Sequence, residues 1–176
     1  DHPLLAVRMR RMTAALLPRS IDLHPSHWVQ RCASGLSRIR GLRIAAQCEQ
    51  HGPVYAGAGL RIRKRFARIE LGEGVKFGHG AGIGVAGRGP DDRALLRIGA
   101  PTIIGDRPHV HCQTAISIGS HCAISWDVEI LDCDMHAIVA EDGHELPNRA
   151  PVVIEDRVWI GTRAVILKGV TIGHDS

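Results

Sequence analysis

An aliphatic residue or phenylalanine recurs at every sixth position along most of this chain, and that period decides what it can fold into. In the downstream half the segments align as IGAPTI, IGDRPH and VHCQTA, then after a two-residue slip as IGSHCA and ISWDVE. After a longer gap they resume as IEDRVW, IGTRAV, ILKGVT and IGHDS. The anchors are Ile98, Ile104, Val110 and Ile116, then Ile118, Ile124 and Ile130, then Ile154, Ile160, Ile166 and Ile172; Leu71, Phe77 and Ile83 keep the same clock upstream. Six helical steps of about 100° advance by about 240°, so a helix would scatter successive anchors over three directions. An even period keeps them on one side of an extended chain, provided the chain bends between anchors. Three such short strands close one coil, and stacked coils bury each set of anchors against the next. The pattern predicts a mainly β chain wound as a parallel β-helix.

Composition agrees. Hydrophobic residues make up 44% of the 176 positions while only six are aromatic, so the core is aliphatic, and 20 glycines suit a backbone that turns often. No run approaches the ~18 apolar residues of a membrane span, and the N-terminus lacks a signal-peptide pattern, which predicts a cytoplasmic protein. Five cysteines without CxxC spacing argue for reduced, buried thiols rather than a disulfide framework or zinc knuckle. The chain starts at Asp1 and stops at Ser176 in mid-pattern, so a longer natural protein is expected. Its net charge of +4 divides into +10 over residues 1–68 and −6 over residues 69–176.

Two interruptions break the clock. Residues 84–97 carry Gly89-Pro90-Asp91-Asp92, and residues 137–151 carry turn chemistry at Asp142-Gly143 and Pro147-Asn148. Insertions in a solenoid become outer loops, often on the functional side. Residues 1–42 form a separate N-terminal basic segment, with the β-helix domain taken as 43–176. Leu5, Met9, Met12 and Leu16 mark an amphipathic helix with Arg8, Arg10 and Arg11 off its apolar stripe, and a second helix should begin near Ser26 and end before Gly41. A helical cap over the first coil, a contact with another subunit and a peripheral contact with the inner face of a membrane are the roles open to this segment. No aromatic platform accompanies the arginines, which speaks against nucleic acid.

The segment Ala150 to Gly173, APVVIEDRVWIGTRAVILKGVTIG, together with the repeat, resembles the hexapeptide-repeat acyltransferases, and most closely their sugar O-acetyltransferase branch. The resemblance extends over roughly residues 54–176. It implies a left-handed β-helix, a homotrimer, and transfer of acetyl from acetyl-CoA to a carbohydrate hydroxyl, with a bacterial surface polysaccharide as the setting. The acceptor, whether free, nucleotide-linked or lipid-linked, and the donor would meet in a cleft between subunits.

LDCDMHAI, Leu131 to Ile138, opens the larger interruption. Acyl transfer to an alcohol needs a base near neutrality, and histidine suits the task. By resemblance His136 is the general base in a direct attack, with no covalent intermediate. Asp132, Asp134 and His136 alternate, so in extended chain they share a face. Asp134 is the preferred orienter of the imidazole, with Glu145 a rival, and Cys133 lacks a base to make it a nucleophile. In SWDVEI, Asp127 takes the place where the family binds the acceptor, and Trp126 offers a ring that can stack on a sugar face; a corner carboxylate and a ring covering a solenoid edge are the plainer readings. Thr162, after Gly161, falls where the family has a small hydroxyl residue near the thioester; Trp159 beside the cleft and Lys168, a partner for a coenzyme A phosphate or simply a solvated lysine, complete the expected donor side. Two other functions stay open: a non-catalytic trimeric scaffold, and a zinc carbonic anhydrase-like enzyme using His109, His111 and His121, although no metal is expected.

Overall fold

The anchors of the six-residue period lie in register with anchors one coil away, except Ile116, which pairs with Leu96 and Val152. The computed structural model describes residues 35–45, 47–50 and 52–176. The first coil runs through β1 (Glu49–Gln50), β2 (Tyr55–Ala56) and β3 (Arg61–Arg65); the second through β4 (Ala67–Leu71), β5 (Lys76–Phe77) and β6 (Gly82–Ala86). The third holds β7 (Ala94–Ile98), β8 (Ile103–Ile104) and β9 (His109–Cys112), and the fourth β10 (Ala115–Ile118), β11 (Ala123–Ile124) and β12 (Glu129–Leu131). A hairpin of β13 (Ile138–Val139) and β14 (Glu145–Leu146) follows, before β15 (Val152–Ile154), β16 (Trp159–Ile160), β17 (Val165–Ile166) and β18 (Thr171–Ile172) resume the winding.

Each coil gives one strand to each of three parallel sheets. Among the described residues, face 1 is β1-β4-β7-β10-β15-β18, face 2 is β2-β5-β8-β11-β16 and face 3 is β3-β6-β9-β12-β17. The predicted parallel β-helix is therefore the observed architecture. Leu71, Ile98, Ile118, Ile154 and Ile172 stack on face 1. Phe77, Ile104, Ile124 and Ile160 stack on face 2, and Ile83, Val110, Ile130 and Ile166 on face 3. All are buried except Ile166 and Ile172, which are partly covered. The two-residue slip has a physical meaning: it lengthens face 1, whose second inward column is Ile69, Leu96, Ile116 and Val152.

The corners differ in tightness. The corner from face 2 to face 3 places Arg107, Asp127 and Arg163 at φ of 52°, 57° and 60° in successive coils. Gly78 opens one such corner because an added Cβ would meet Asp106 Oδ1 at 2.3 Å. The corner from face 3 to face 1 is where the chain is allowed to wander: residues 87–93, then Gln113 and Thr114, then 132–151 all leave the winding there. The first interruption is shorter than 84–97, because residues at both its ends pair as β6 and β7.

At the N-terminal end, α1 (Gly35–Ala45) packs against β2. Buried Ser37, Gly41 and Ile44 form its inner side. The helix does not stop before Gly41, as its glycine suggested; an added Cβ there would sit 1.9 Å from Val54 O, so this glycine serves close packing rather than termination. It also runs across position 42. The start predicted near Ser26 and the helix predicted over Leu5–Leu16 lie outside the described residues. No described helix is long and apolar enough to cross a membrane.

Candidate active site

The corner from face 3 to face 1 is built around a carboxylate. β12 ends at Leu131, and Asp132 turns inward with none of its surface exposed. Its two oxygens accept the backbone N–H groups of Gln113 and Thr114, each at 2.7 Å. Those amides lie at the two-residue slip, where the chain departs from the ladder. The insertion is then closed at its root: Asp134 N donates to Asn148 O at 2.9 Å, Ala150 N to Asp132 O at 3.0 Å, and Cys133 pairs with Arg149 across an antiparallel bridge. Arg149 Nη1 reaches Gln113 O at 3.3 Å.

The alternation expected of Asp132, Asp134 and His136 does not survive this turn. Met135 has φ of 63°, so the chain is not extended there: Asp132 is buried, Asp134 half-buried and His136 exposed. The Asp134 carboxylate pairs with Lys168 Nζ at 2.6 Å, and the same ammonium donates to Pro147 O at 2.8 Å. Lys168 thus ties the fifth coil to both arms of the insertion. The His136 imidazole has no hydrogen-bond partner among the described residues, while Asn148 Nδ2 donates to the His136 carbonyl at 3.3 Å. Asn148 was read from sequence only as a turn residue; nothing in the local pattern marks it as a clamp on the histidine backbone.

A second group assembles along the corner from face 2 to face 3. Ser125 Oγ and Thr162 Oγ1 lie 2.8 Å apart, and Arg163 N donates to Trp126 O at 3.1 Å, which brings Trp126, Asp127, Gly161 and Thr162 onto one edge in adjacent coils. Trp126 is 46% exposed and Trp159, pointing outward from face 2, is 68% exposed. Asp127 accepts both Nε and Nη2 of Arg107, each at 2.8 Å. Hydrogen bonding to that guanidinium holds its carboxyl below the usual carboxylate range. The pair's contribution is therefore present above the unfolded carboxyl value of about 3.9 and is lost as pH falls through the lowered folded value. Replacing Arg107 with Ala is expected to move the Asp127 titration upward, which side-chain carbon NMR would follow; an unmoved titration would contradict the assigned cause.

Face 3 separates the two groups: His136, Asp134 and Lys168 flank one of its edges, Trp126, Asp127, Gly161 and Thr162 the other. Within one chain the eight expected site residues do not converge. Nor do His109, His111 and His121. The first two stack as parallel rings with centroids 6.4 Å apart on face 3, and His121 turns the corner from face 1 to face 2. Cys133 is buried, and burial raises its thiol pKa, which leaves it unactivated as a nucleophile.

No family model matches the chain. A polysialic acid O-acetyltransferase from Neisseria meningitidis is 37% identical over 76 residues, which make up 42% of this chain and 35% of that protein. The chain spans about a third of the length of this curated relative. Among solved structures, the polysialic acid O-acetyltransferase OatWY aligns with 28% identity and a TM-score of 0.52 over 69% of this chain and 59% of its own. The polySia-specific acetyltransferase NeuO aligns with 19% identity and a TM-score of 0.45 over 72% of this chain and 71% of its own. By sequence and by fold, the chain is similar to the hexapeptide-repeat O-acetyltransferases that its motifs resemble.

Proposed function

We propose that this chain carries the catalytic β-helix of an O-acetyltransferase that moves acetyl from acetyl-CoA to a carbohydrate hydroxyl in surface polysaccharide assembly. The observation that carries the reading is the exposed His136 imidazole, unengaged by described residues, at the root of an insertion closed by backbone contacts between 132–134 and 148–150. An alcohol proton can reach such a ring, and a base with free access to substrate is what direct attack on a thioester requires. The relatives act on polysialic acid, which makes that polymer the first acceptor to try.

The chemistry follows from the residues. His136 takes the hydroxyl proton as the oxygen attacks the thioester carbonyl, and the same proton is returned to the departing coenzyme A sulfur. Asp134 acts through position: its pairing with Lys168 anchors the bend from which His136 projects. Lys168 would give up part of that pairing to meet a coenzyme A phosphate. Trp159, Gly161 and Thr162 belong to the donor side, where exposed backbone amides would stabilise the developing oxyanion. Asp127 and Trp126 belong to the acceptor side, where the Asp127 carboxylate, taking one bond on each oxygen from Arg107, keeps lone pairs that accept sugar hydroxyls. Because the two groups flank opposite edges of face 3, a homotrimer completes the site: the His136 edge of one copy meets the Trp126–Thr162 edge of the next. The basic N-terminal segment would meet the inner face of a membrane, where a lipid-linked acceptor resides.

A calorimetric titration with acetyl-CoA tests the reading without knowledge of the acceptor. Saturable binding near one site per chain is expected. Absence of binding by protein that includes the further length of the relatives would leave a non-catalytic scaffold as the better account.

A further inference from the structure

We propose that the outward surface of face 3 over the first three coils is a binding slot for a carboxylate-bearing polysaccharide. The inference deepens the transfer reading above and rests on it, because it says where on this chain such an acceptor lies.

Two outward columns cross face 3. One is Arg61, Gly82, His109, Glu129 and Val165; the other is Arg63, Gly84, His111 and Leu131. Neighbouring strands are about 4.8 Å apart, so the arginine pair on β3 faces the histidine pair on β9 across about 10 Å. The strand between them contributes only glycines to these columns. The floor is thus bare backbone, and the histidine rings lean toward it: a Cβ on Gly82 would come within 3.2 Å of His109 Nδ1, one on Gly84 within 3.8 Å of His111 Nδ1. The result is a shallow trough with guanidinium groups on one wall and parallel imidazoles on the other.

The charges on this wall are uncommitted. Arg68, Arg88, Arg97, Arg107 and Arg157 each pair with a carboxylate of this chain. Arg61 and Arg63 are exposed and pair with none among the described residues. Their spacing along the strand is about 7 Å, which suits a polymer with repeated carboxylates better than one small anion, and the guanidinium fork matches a carboxylate in two hydrogen bonds. The slot offers no aromatic ring on which bases would stack, which disfavours single-stranded nucleic acid. Glu129 on β12 ends the basic strip and repels carboxylates. Just past it, Leu131 leads into the segment that carries His136, so the polymer's charges are held upstream while its hydroxyls approach the base.

Fluorescence anisotropy with end-labelled polysialic acid, against neutral dextran of equal length, tests the slot. Binding to polysialic acid only is expected. Arg61→Ala/Arg63→Ala should weaken it about 10-fold and His109→Ala/His111→Ala about 3-fold, since the first removes charge-assisted forks and the second single ring donors. Lys76→Ala/Arg43→Ala removes the same charge from other surfaces and should change it less than about twofold. The slot is overturned if the wild-type chain ignores the polymer, if the arginine variant binds as tightly, if the control variant weakens equally, or if single-stranded DNA binds more tightly than the glycan. An acetyl-CoA titration of the same proteins separates the two readings. Donor binding without glycan binding sinks the slot and leaves the transfer standing, whereas the reverse upholds the slot and sinks the transfer.

Discussion

Replacing His136 with Ala is expected to lower turnover with acetyl-CoA and a carbohydrate acceptor by about 10²- to 10⁴-fold, the range a positioned general base supplies. Donor binding should barely change, since the base acts on the acceptor's proton. The variant is a clean one because the imidazole supports nothing else that the structure describes: it is exposed, and the hydrogen bond that Asn148 Nδ2 donates to this residue goes to the backbone carbonyl and survives the substitution. Thermal unfolding should therefore match the wild-type chain. Steady-state kinetics decide the matter; a variant that keeps more than half of the activity removes His136 from the chemistry. Glutamine at the same position offers a hydrogen bond without a usable proton acceptor of similar basicity, so it should fail nearly as badly as alanine.

The fold was legible because the anchors do two things at once. Ile98, Ile104 and Val110 are spaced for strands, and their six-residue step places each over a partner in the next coil, so periodicity and burial carry the same message. The two-residue slip was visible too, though not its meaning: only the register of Ile116 with Leu96 and Val152 shows that face 1 is the wide one. Gly41 misled because a glycine near a helix end usually marks termination, and close approach to another backbone leaves the same letter in the sequence. The site was legible in position and less so in partners. His136 could be picked by its place before the insertion. The bend at Met135, which sends Asp134 to Lys168 and Asp132 into the interior, depends on pairing with residues 148–150 and with a lysine in the next coil. Such contacts lie across tens of residues of sequence, where local spacing carries no information. The unpaired arginines of β3 are legible only by contrast with the paired ones, and that contrast needs coordinates.

Asp132→Ala is expected to be the most damaging single change to the folded site, although the residue is wholly buried behind it. Among the described residues its carboxylate is the sole acceptor for the Gln113 and Thr114 amides, and each buried N–H left without a partner costs about 1–3 kcal/mol. Loss of both would cost about 2–6 kcal/mol; water entering the vacated space offsets part of that, so about 3 kcal/mol is the expected fall in unfolding free energy. Asparagine should recover less than half. Its amide carbonyl can accept one of the two protons, but its NH2 group then confronts the other as a second donor. The damage should spread along the corner, because the Asp132 carbonyl also receives Ala150 N and the segment after it positions His136. Three readouts should therefore move together: a lower denaturant midpoint, faster proteolysis within residues 137–149, and a reduced kcat measured below the unfolding transition. A fall in stability of less than about 1 kcal/mol would mean that water replaces the carboxylate fully, and that the insertion is held by Lys168 and the Cys133–Arg149 bridge instead.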